Sequence, residues 1–278
     1  MVYVTPWNRR IDFSRTLLMG IVNVTPDSFY EKSRKLTVFE AVEAVKNMVE
    51  EGVDIIDVGG MSTRPGSDPV DEEEELRRVV PVIKAIRTVT DKPISVDTYR
   101  WRVALQALEA GADIVNDVSG FRFEPDVLKV VRDTKAPYVL MHMKGTPKDM
   151  QLNPHYEDVV GELKEYFKER IAILLNNEVN QIIVDPGIGF GKRYEDNLEI
   201  LRRIEEFKEF GFPVMVGASR KSFIGIALGN VPPEDRLEGT LAVTAYCVMK
   251  GVNVLRVHDV LPNKRVVEML EAILWRKP

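Results

Sequence analysis

Short apolar runs alternate along this chain with longer stretches whose apolar positions recur every three or four residues, a pattern that predicts strands followed by amphipathic helices. Residues 2–15 alternate loosely and contain Pro6, so a short hairpin or lid is expected ahead of the main repeat. The first core strand is predicted over 16–22, ending at Asn23. A polar loop over 24–36 then leads to a helix over 37–51, where Thr37 and Glu40 have capping-box spacing. A strand over 53–58, the loop GGMSTRPGSDP and a helix opened by the acidic run Asp71 to Glu75 follow. That run complements the helix dipole, and nothing further is read from it. Further strands are predicted over 93–97, 113–116, 137–141, 181–185, 214–216 and 252–258. Helices are predicted near 100–110, 124–134, 156–176, 194–207, 233–250 and 263–275. After Gly217 the chain turns through Ala218, Ser219, Arg220 and Lys221 into another helix start.

Eight strand-helix units argue for parallel strands joined by crossovers, and eight strands close a barrel. The expected fold is an α/β (β/α)8 TIM barrel with a short N-terminal hairpin; a doubly wound open sheet is the alternative. The 278 residues fit the roughly 250 typical of such a barrel, so one domain is expected over 1–278. No Pro/Gly/Ser linker or low-complexity segment divides it.

Composition narrows the partners. A net charge of -5 leaves no basic footprint for nucleic acid or anionic lipid, so an anionic ligand needs a local site. A single cysteine, Cys247, excludes an internal disulfide and a cysteine metal cage, which fits a reducing cytoplasm; within AVTAYCVM it is expected to be a core thiol. The N-terminal residues lack the apolar core of a signal peptide, and no run approaches the length of a membrane span. A cytoplasmic protein without membrane or nucleic-acid partners is expected.

In such barrels the C-terminal strand ends form one pocket. Here they carry Asn23, Asp57, Asp97, Asn116, Met141 with His142, Asp185, the turn from Gly217 to Lys221, and Arg256 with His258. Carboxylates and amides suit a heterocycle rich in donors and acceptors; the cations and helix termini suit an anion. Asp57 is also compatible with a loop cap, Asp97 with a cap of the next helix, and Asn116-Asp117 with a simple turn. His142 and His155 receive no role. PGIGFGK is not a phosphate loop, because Pro186 and Arg193 occupy positions that need Gly and Ser/Thr. The dinucleotide fingerprint fails at Lys192. Ser219 and Ser222 have no base adjacent in sequence to make either a nucleophile.

The ordered segments MGIVNVTPDSF, DVGGMSTRPGS, SVDT, IVNDVSG, MHMKGTP, DPGIGFGK, GASRKSFIG, RLEGTLA and VLRVHDV resemble those of the dihydropteroate synthases of folate biosynthesis, over nearly the whole chain. The resemblance implies condensation of a dihydropterin 6-hydroxymethyl diphosphate with p-aminobenzoate, the carbon–oxygen bond breaking first. It assigns Asp97, Asn116, Asp185 and Lys221 to the pterin. Asn23, Thr63, Arg256 and His258 fall to the diphosphate, with a magnesium ion (Mg2+) near Asn23. Phe29, Pro65, Phe190, Lys221 and Ser222 are assigned to p-aminobenzoate, so sulfonamide inhibition is expected. Asn23, Lys221, Arg256 and His258 are the implied catalytic residues. The family's mobile loops correspond to 24–36 and 61–69; here the segment Tyr30 to Lys35 departs from the glycine-rich turn common in the family. A homodimer through late helices is implied, with Leu241 to Met249 as core or interface. A pterin-dependent methyltransferase shares the Asp97, Asn116 and Asp185 pattern but has no use for STRPG, SRKS or the Arg256/His258 pair. A non-catalytic binding barrel would not need the diphosphate residues.

Overall fold

The computed structural model describes residues 1–24, 31–61 and 70–274, with the side chains of 31–37 left aside. A hairpin of β1 (Val2–Val4) and β2 (Arg10–Asp12) precedes the repeat. Then follow β3 (Leu17–Asn23), α1 (Glu31–Glu50), β4 (Ile55–Gly59), α2 (Glu72–Arg87), β5 (Ile94–Asp97), α3 (Trp101–Glu109), β6 (Ile114–Asp117) and α4 (Val127–Thr134). The second half contains β7 (Tyr138–Met141), α5 (Val159–Asn176), β8 (Ile182–Asp185), α6 (Tyr194–Arg202), β9 (Met215–Val216), α7 (Ser222–Ala227), α8 (Leu237–Met249), β10 (Val254–Val257) and α9 (Val260–Ile273).

Strands β3 to β10 form one parallel sheet in the order β8-β7-β6-β5-β4-β3-β10-β9, and a parallel bridge between Val184 and Val214 joins its two ends. That closure makes a barrel and excludes the doubly wound sheet. Successive strand residues face opposite sides. Leu18, Ile56, Val96, Val115, Leu140, Val184 and Leu255 point outward into the main core with the helices. Leu17, Met19, Ile55, Ile114, Val139, Ile183, Met215 and Val254 fill the interior as a separate apolar layer.

The hairpin is not a lid. Tyr3, Ile11 and Phe13 join that interior layer, and the Tyr3 hydroxyl donates to Ile182 O at 2.7 Å, at the start of β8. The hairpin therefore plugs the N-terminal end of the barrel, opposite the strand ends that carry the candidate site. Buried Asp113 anchors it, accepting from Thr5 Oγ1 at 2.7 Å and pairing with Arg9 and Arg87 at 3.1 and 2.8 Å.

Several boundaries differ from the sequence pattern. Helix α1 begins at Glu31, so Thr37 and Glu40 lie inside it, and the atypical segment 31–35 is helical rather than loop. The stretch after α6 continues as a 3-10 helix over Ile204–Phe210. The helix expected from Pro233 begins at Leu237, after a single 3-10 turn that proline opens. In the acidic run, Asp71 caps α2 by accepting from Glu74 N at 2.7 Å, but Glu75 does more than complement a dipole. It is fully buried and receives Arg100 Nη1 at 2.7 Å, an ion pair that joins α2 to the start of α3. Cys247 is a buried core thiol, its pKa pushed up to about 12 by burial. Among the described residues no helix is long and apolar enough to cross a membrane.

Candidate active site at the mouth of the barrel

The inner face changes character one step further along five of the eight strands. Two residues beyond Ile55, Ser95, Ile114, Ile183 and Val254 stand Asp57, Asp97, Asn116, Asp185 and Arg256, all on the inner face. The sheet register sets them in steps around the barrel: Asp97 pairs with Asn116, whereas Asp57 pairs with Ser95 and Asp185 with Met141. Apolar packing below and polar side chains above therefore follow from one period-two pattern repeated around the barrel.

Arg256 ties this layer together. Its Nε donates to Asp57 Oδ2 at 2.7 Å and its Nη2 to Asp97 Oδ2 at 2.8 Å. Asn116 Nδ2 lies 3.4 Å from both oxygens of Asp57. Burial raises the Asp97 carboxyl to about 7; Arg256 opposes the shift, while Asp57, Glu75 and Asp117 add to it. Burial works against the Arg256 charge as well, but the two carboxylates outweigh it and hold the guanidinium above its ordinary value. The second oxygen of Asp97, Oδ1, is buried without a hydrogen-bond partner among the described residues. An orphaned acceptor of that kind is costly unless a ligand supplies the donor.

A second group lies across the mouth. Asp185 is buried, which raises its carboxyl, while Gly187 N donates to its Oδ1 at 2.8 Å. Lys221, half-buried at the start of α7, donates to Ile188 O and lies 4.4 Å above the Phe190 ring. Burial lowers its ammonium to about 8, with Asp185 acting in the opposite sense. Gly187 makes this approach possible. It adopts φ +68°, and a Cβ there would stand 2.0 Å from His142 O.

Asn23 is exposed at the end of β3, and Ser222 is exposed at the first position of α7. His258 lies just past β10, where Ser219 is its partner despite a separation of 39 residues. The His258 backbone N–H donates to Ser219 Oγ at 3.2 Å, and the hydroxyl meets the ring Nδ1 at 3.0 Å. A serine does therefore have a histidine beside it; sequence adjacency missed the pair because β9 and β10 are neighbours only in the sheet. The hydroxyl has one hydrogen to donate and two lone pairs, so it can meet the ring nitrogen in either tautomer while accepting the backbone N–H, and it fixes the orientation of the imidazole. Arg220 turns away from the mouth, at φ 55°, and binds Asp259 through two bonds of 2.8 and 2.9 Å. Phe29, Thr63 and Pro65 lie outside the described residues, as do most of the two loops expected to be mobile.

Asp57, compatible from sequence with a loop cap, is a central member of the site. His142 and Lys192 also gain partners: Lys192 Nζ lies 3.0 Å from His142 Nδ1, both residues buried beneath Asp185 and its loop. Asp57 carried a local signal, its two-residue offset from Ile55; Ser219 and Lys192 carried none. Among the described residues no group of three or more His, Cys, Asp and Glu side chains is arranged to hold a metal ion.

A family model described as "Pterin binding enzyme" matches residues 19–258. The dihydropteroate synthase of Synechocystis sp. is 46% identical over 264 residues, covering 94% of this chain and 91% of that protein. A crystal structure of the Yersinia pestis dihydropteroate synthase with a sulfonamide drug complex aligns with a TM-score of 0.92 and 38% identity, covering 99% of this chain and 100% of that one. The Xanthomonas albilineans dihydropteroate synthase with 4-aminobenzoic acid aligns with a TM-score of 0.90 and 40% identity, covering 98% and 99% of the two chains.

Proposed function

Since the chain belongs to the pterin-binding enzymes and, among them, to the dihydropteroate synthases, we propose that the polar layer at the barrel mouth is its active site, with adjoining pterin, diphosphate and p-aminobenzoate subsites. The protein is a transferase of folate biosynthesis. It condenses (7,8-dihydropterin-6-yl)methyl diphosphate with 4-aminobenzoate to give 7,8-dihydropteroate and diphosphate.

The unpartnered buried oxygen of Asp97 carries the reading of the pterin subsite. The amino-pyrimidinone edge of a pterin presents adjacent N–H donors, and Asp97, Asn116 and Asp185 offer acceptor oxygens converging from three strands. Lys221 donates to the ring acceptors on the other side. Arg256, His258, Asn23 and Thr63 receive the diphosphate, with Ser219 orienting the His258 ring. Phe29, Pro65 and Phe190 wall the p-aminobenzoate pocket, and Ser222 takes its carboxylate. The carbon–oxygen bond breaks first, its electron pair leaving with the diphosphate and the cation delocalising into the dihydropterin ring. The amine lone pair of p-aminobenzoate then attacks, and its surplus proton passes to solvent. No general base is needed for attack by a neutral arylamine.

A magnesium ion fits the donor set at Asn23, a single exposed amide oxygen at the diphosphate end. Mg2+ keeps several waters and binds chiefly through phosphate oxygens, so one protein oxygen suffices. When bound it would neutralise charge on the leaving diphosphate. A cytoplasmic location agrees with the lone buried thiol. A homodimer agrees with the exposed Tyr246 and Met249 on α8 and Met269 and Ile273 on α9; sedimentation in solution at twice the 31.6 kDa chain mass is the expected result, and a monomer mass would remove it.

Purified protein with Mg2+ and the dihydropterin diphosphate should release pyrophosphate and form dihydropteroate only when p-aminobenzoate is added, and saturating sulfonamide should suppress the product. Product formation untouched by sulfonamide would overturn the p-aminobenzoate pocket. Folded protein giving no product would overturn the active-site reading.

A further inference from the structure

The loop over 186–191 connects Asp185 to Lys192, and two lysines grip it from opposite sides. On the pocket side Lys221 Nζ donates to Ile188 O. On the buried side Lys192 Nζ lies 3.0 Å from Phe190 O, 3.3 Å from His142 O and 3.0 Å from His142 Nδ1. Lys192 is 2% exposed, an unusual place for a lysine unless it has full hydrogen bonding. It has that. Two amine hydrogens serve the two carbonyls, and the imidazole nitrogen completes the set in either protonation state. Burial and the neighbouring Lys192, Arg122 and Lys144 push the His142 pKa well down, so its ring is neutral. The edge of the Tyr166 ring, 4.8 Å away, fixes its orientation.

We propose that Lys192 is a positioning residue for the pterin subsite, strapping the glycine loop to His142 so that Asp185 and Lys221 are held in register for the pterin edge. The loop needs such a strap because Gly187, Gly189 and Gly191 all adopt positive φ, at 68°, 81° and 63°, and glycine restrains its own backbone weakly. The same loop sets both functional groups. Gly187 N donates to Asp185 Oδ1, and Ile188 O and the Phe190 ring hold Lys221. Releasing Phe190 O and His142 O from Lys192 frees the loop from below, and the two pterin-binding groups lose their common reference. Lys192 acts at a distance from the diphosphate end, which Arg256 on β10 forms with His258 just past that strand and Ser219 in the turn after β9. The proposal rests on the placement of the pterin edge at Asp185 and Lys221.

Lys192→Met keeps the length of the side chain and removes its donors; replacing a buried amine by an apolar group is tolerated in many folded proteins. With the full chain, fluorescence titration of 6-hydroxymethylpterin is expected to show a Kd raised about tenfold, the effect of losing one well-placed charged hydrogen bond. The Kd for pyrophosphate should stay within about twofold, because that subsite does not touch the loop. An unchanged pterin Kd in folded Lys192→Met, or equal losses for both ligands, would overturn the proposal. If that variant does not fold, His142→Gln decides, since it leaves Lys192 its two carbonyls and removes the ring acceptor. A pterin Kd raised about threefold supports the strap, and an unmoved one overturns it. Asp185→Asn in the same titration separates the premises. Were its pterin Kd unmoved, the placement of the pterin edge would fall, and the strap with it.

Discussion

Arg256→Ala is expected to lower kcat/KM for the dihydropterin diphosphate by about a thousandfold and to cost about 3–5 kcal/mol of stability. Both effects come from one geometry. Arg256 lies between Asp57, which is fully buried, and Asp97, which is 7% exposed, and its removal leaves two carboxylates facing one another without a counter-charge. The activity loss combines poorer stabilisation of the departing diphosphate with a disordered acceptor for the pterin. The pH dependence gives an independent reading. Asp97 titrates at about 7 in the folded protein, above the 3.8 of a free aspartate, so the native state binds the extra proton between those values. Its contribution to stability is therefore present at low pH and declines as pH rises through this window. Pterin binding runs the other way: below about 7 the protonated carboxyl accepts less well, and kcat/KM falls. Because Arg256 opposes the upward shift, its loss moves both features to higher pH. Denaturant unfolding and a pH-rate profile check the two halves; an acid limb that stays in place would show that Asp97 and Arg256 are not coupled as their 2.8 Å contact implies.

Asp185→Asn should weaken binding of free pterin by about a hundredfold, the loss of two hydrogen bonds to a charged acceptor. The amide keeps an oxygen to receive the Gly187 N–H that now meets Oδ1 at 2.8 Å, so the loop stays in place and the change is chiefly one of charge. Asparagine also presents an N–H group to a pterin edge that itself donates, leaving two donors opposed. A second consequence concerns Lys221. Burial has already lowered its ammonium to about 8, and Asp185 heads the groups that resist that shift. Neutralising Asp185 lowers Lys221 further, so the alkaline limb of kcat/KM, expected near 8 in the parent enzyme, moves toward neutrality. Titration of pterin affinity together with the alkaline limb tests both. A Kd within about twofold of the parent, with an unmoved limb, would remove Asp185 from the pterin subsite.

Strand number, parallel order and the switch from apolar to polar inside the barrel were all legible in the chain, because each is a local periodicity. Ile55 and Asp57, Ile114 and Asn116, Ile183 and Asp185, and Val254 and Arg256 each share a face by the two-residue repeat alone. What each polar residue binds was not legible. Arg256 meets Asp57 across 199 residues and Asp97 across 159, Lys192 meets His142 across 50, and Ser219 meets His258 across 39. The hairpin shows the same limit. Its alternation was visible, but only the fit of Tyr3, Ile11 and Phe13 into the open apolar end made it a plug rather than a lid. The sequence by itself determined the repeating unit, the inner and outer faces of each strand, and the residue types at the mouth, since these depend on neighbours one or two positions away. Only the closed barrel decided the pairings, because closure brings strands distant in the chain within hydrogen-bond reach, and the energy of a buried charge is set by whichever partner stands opposite it.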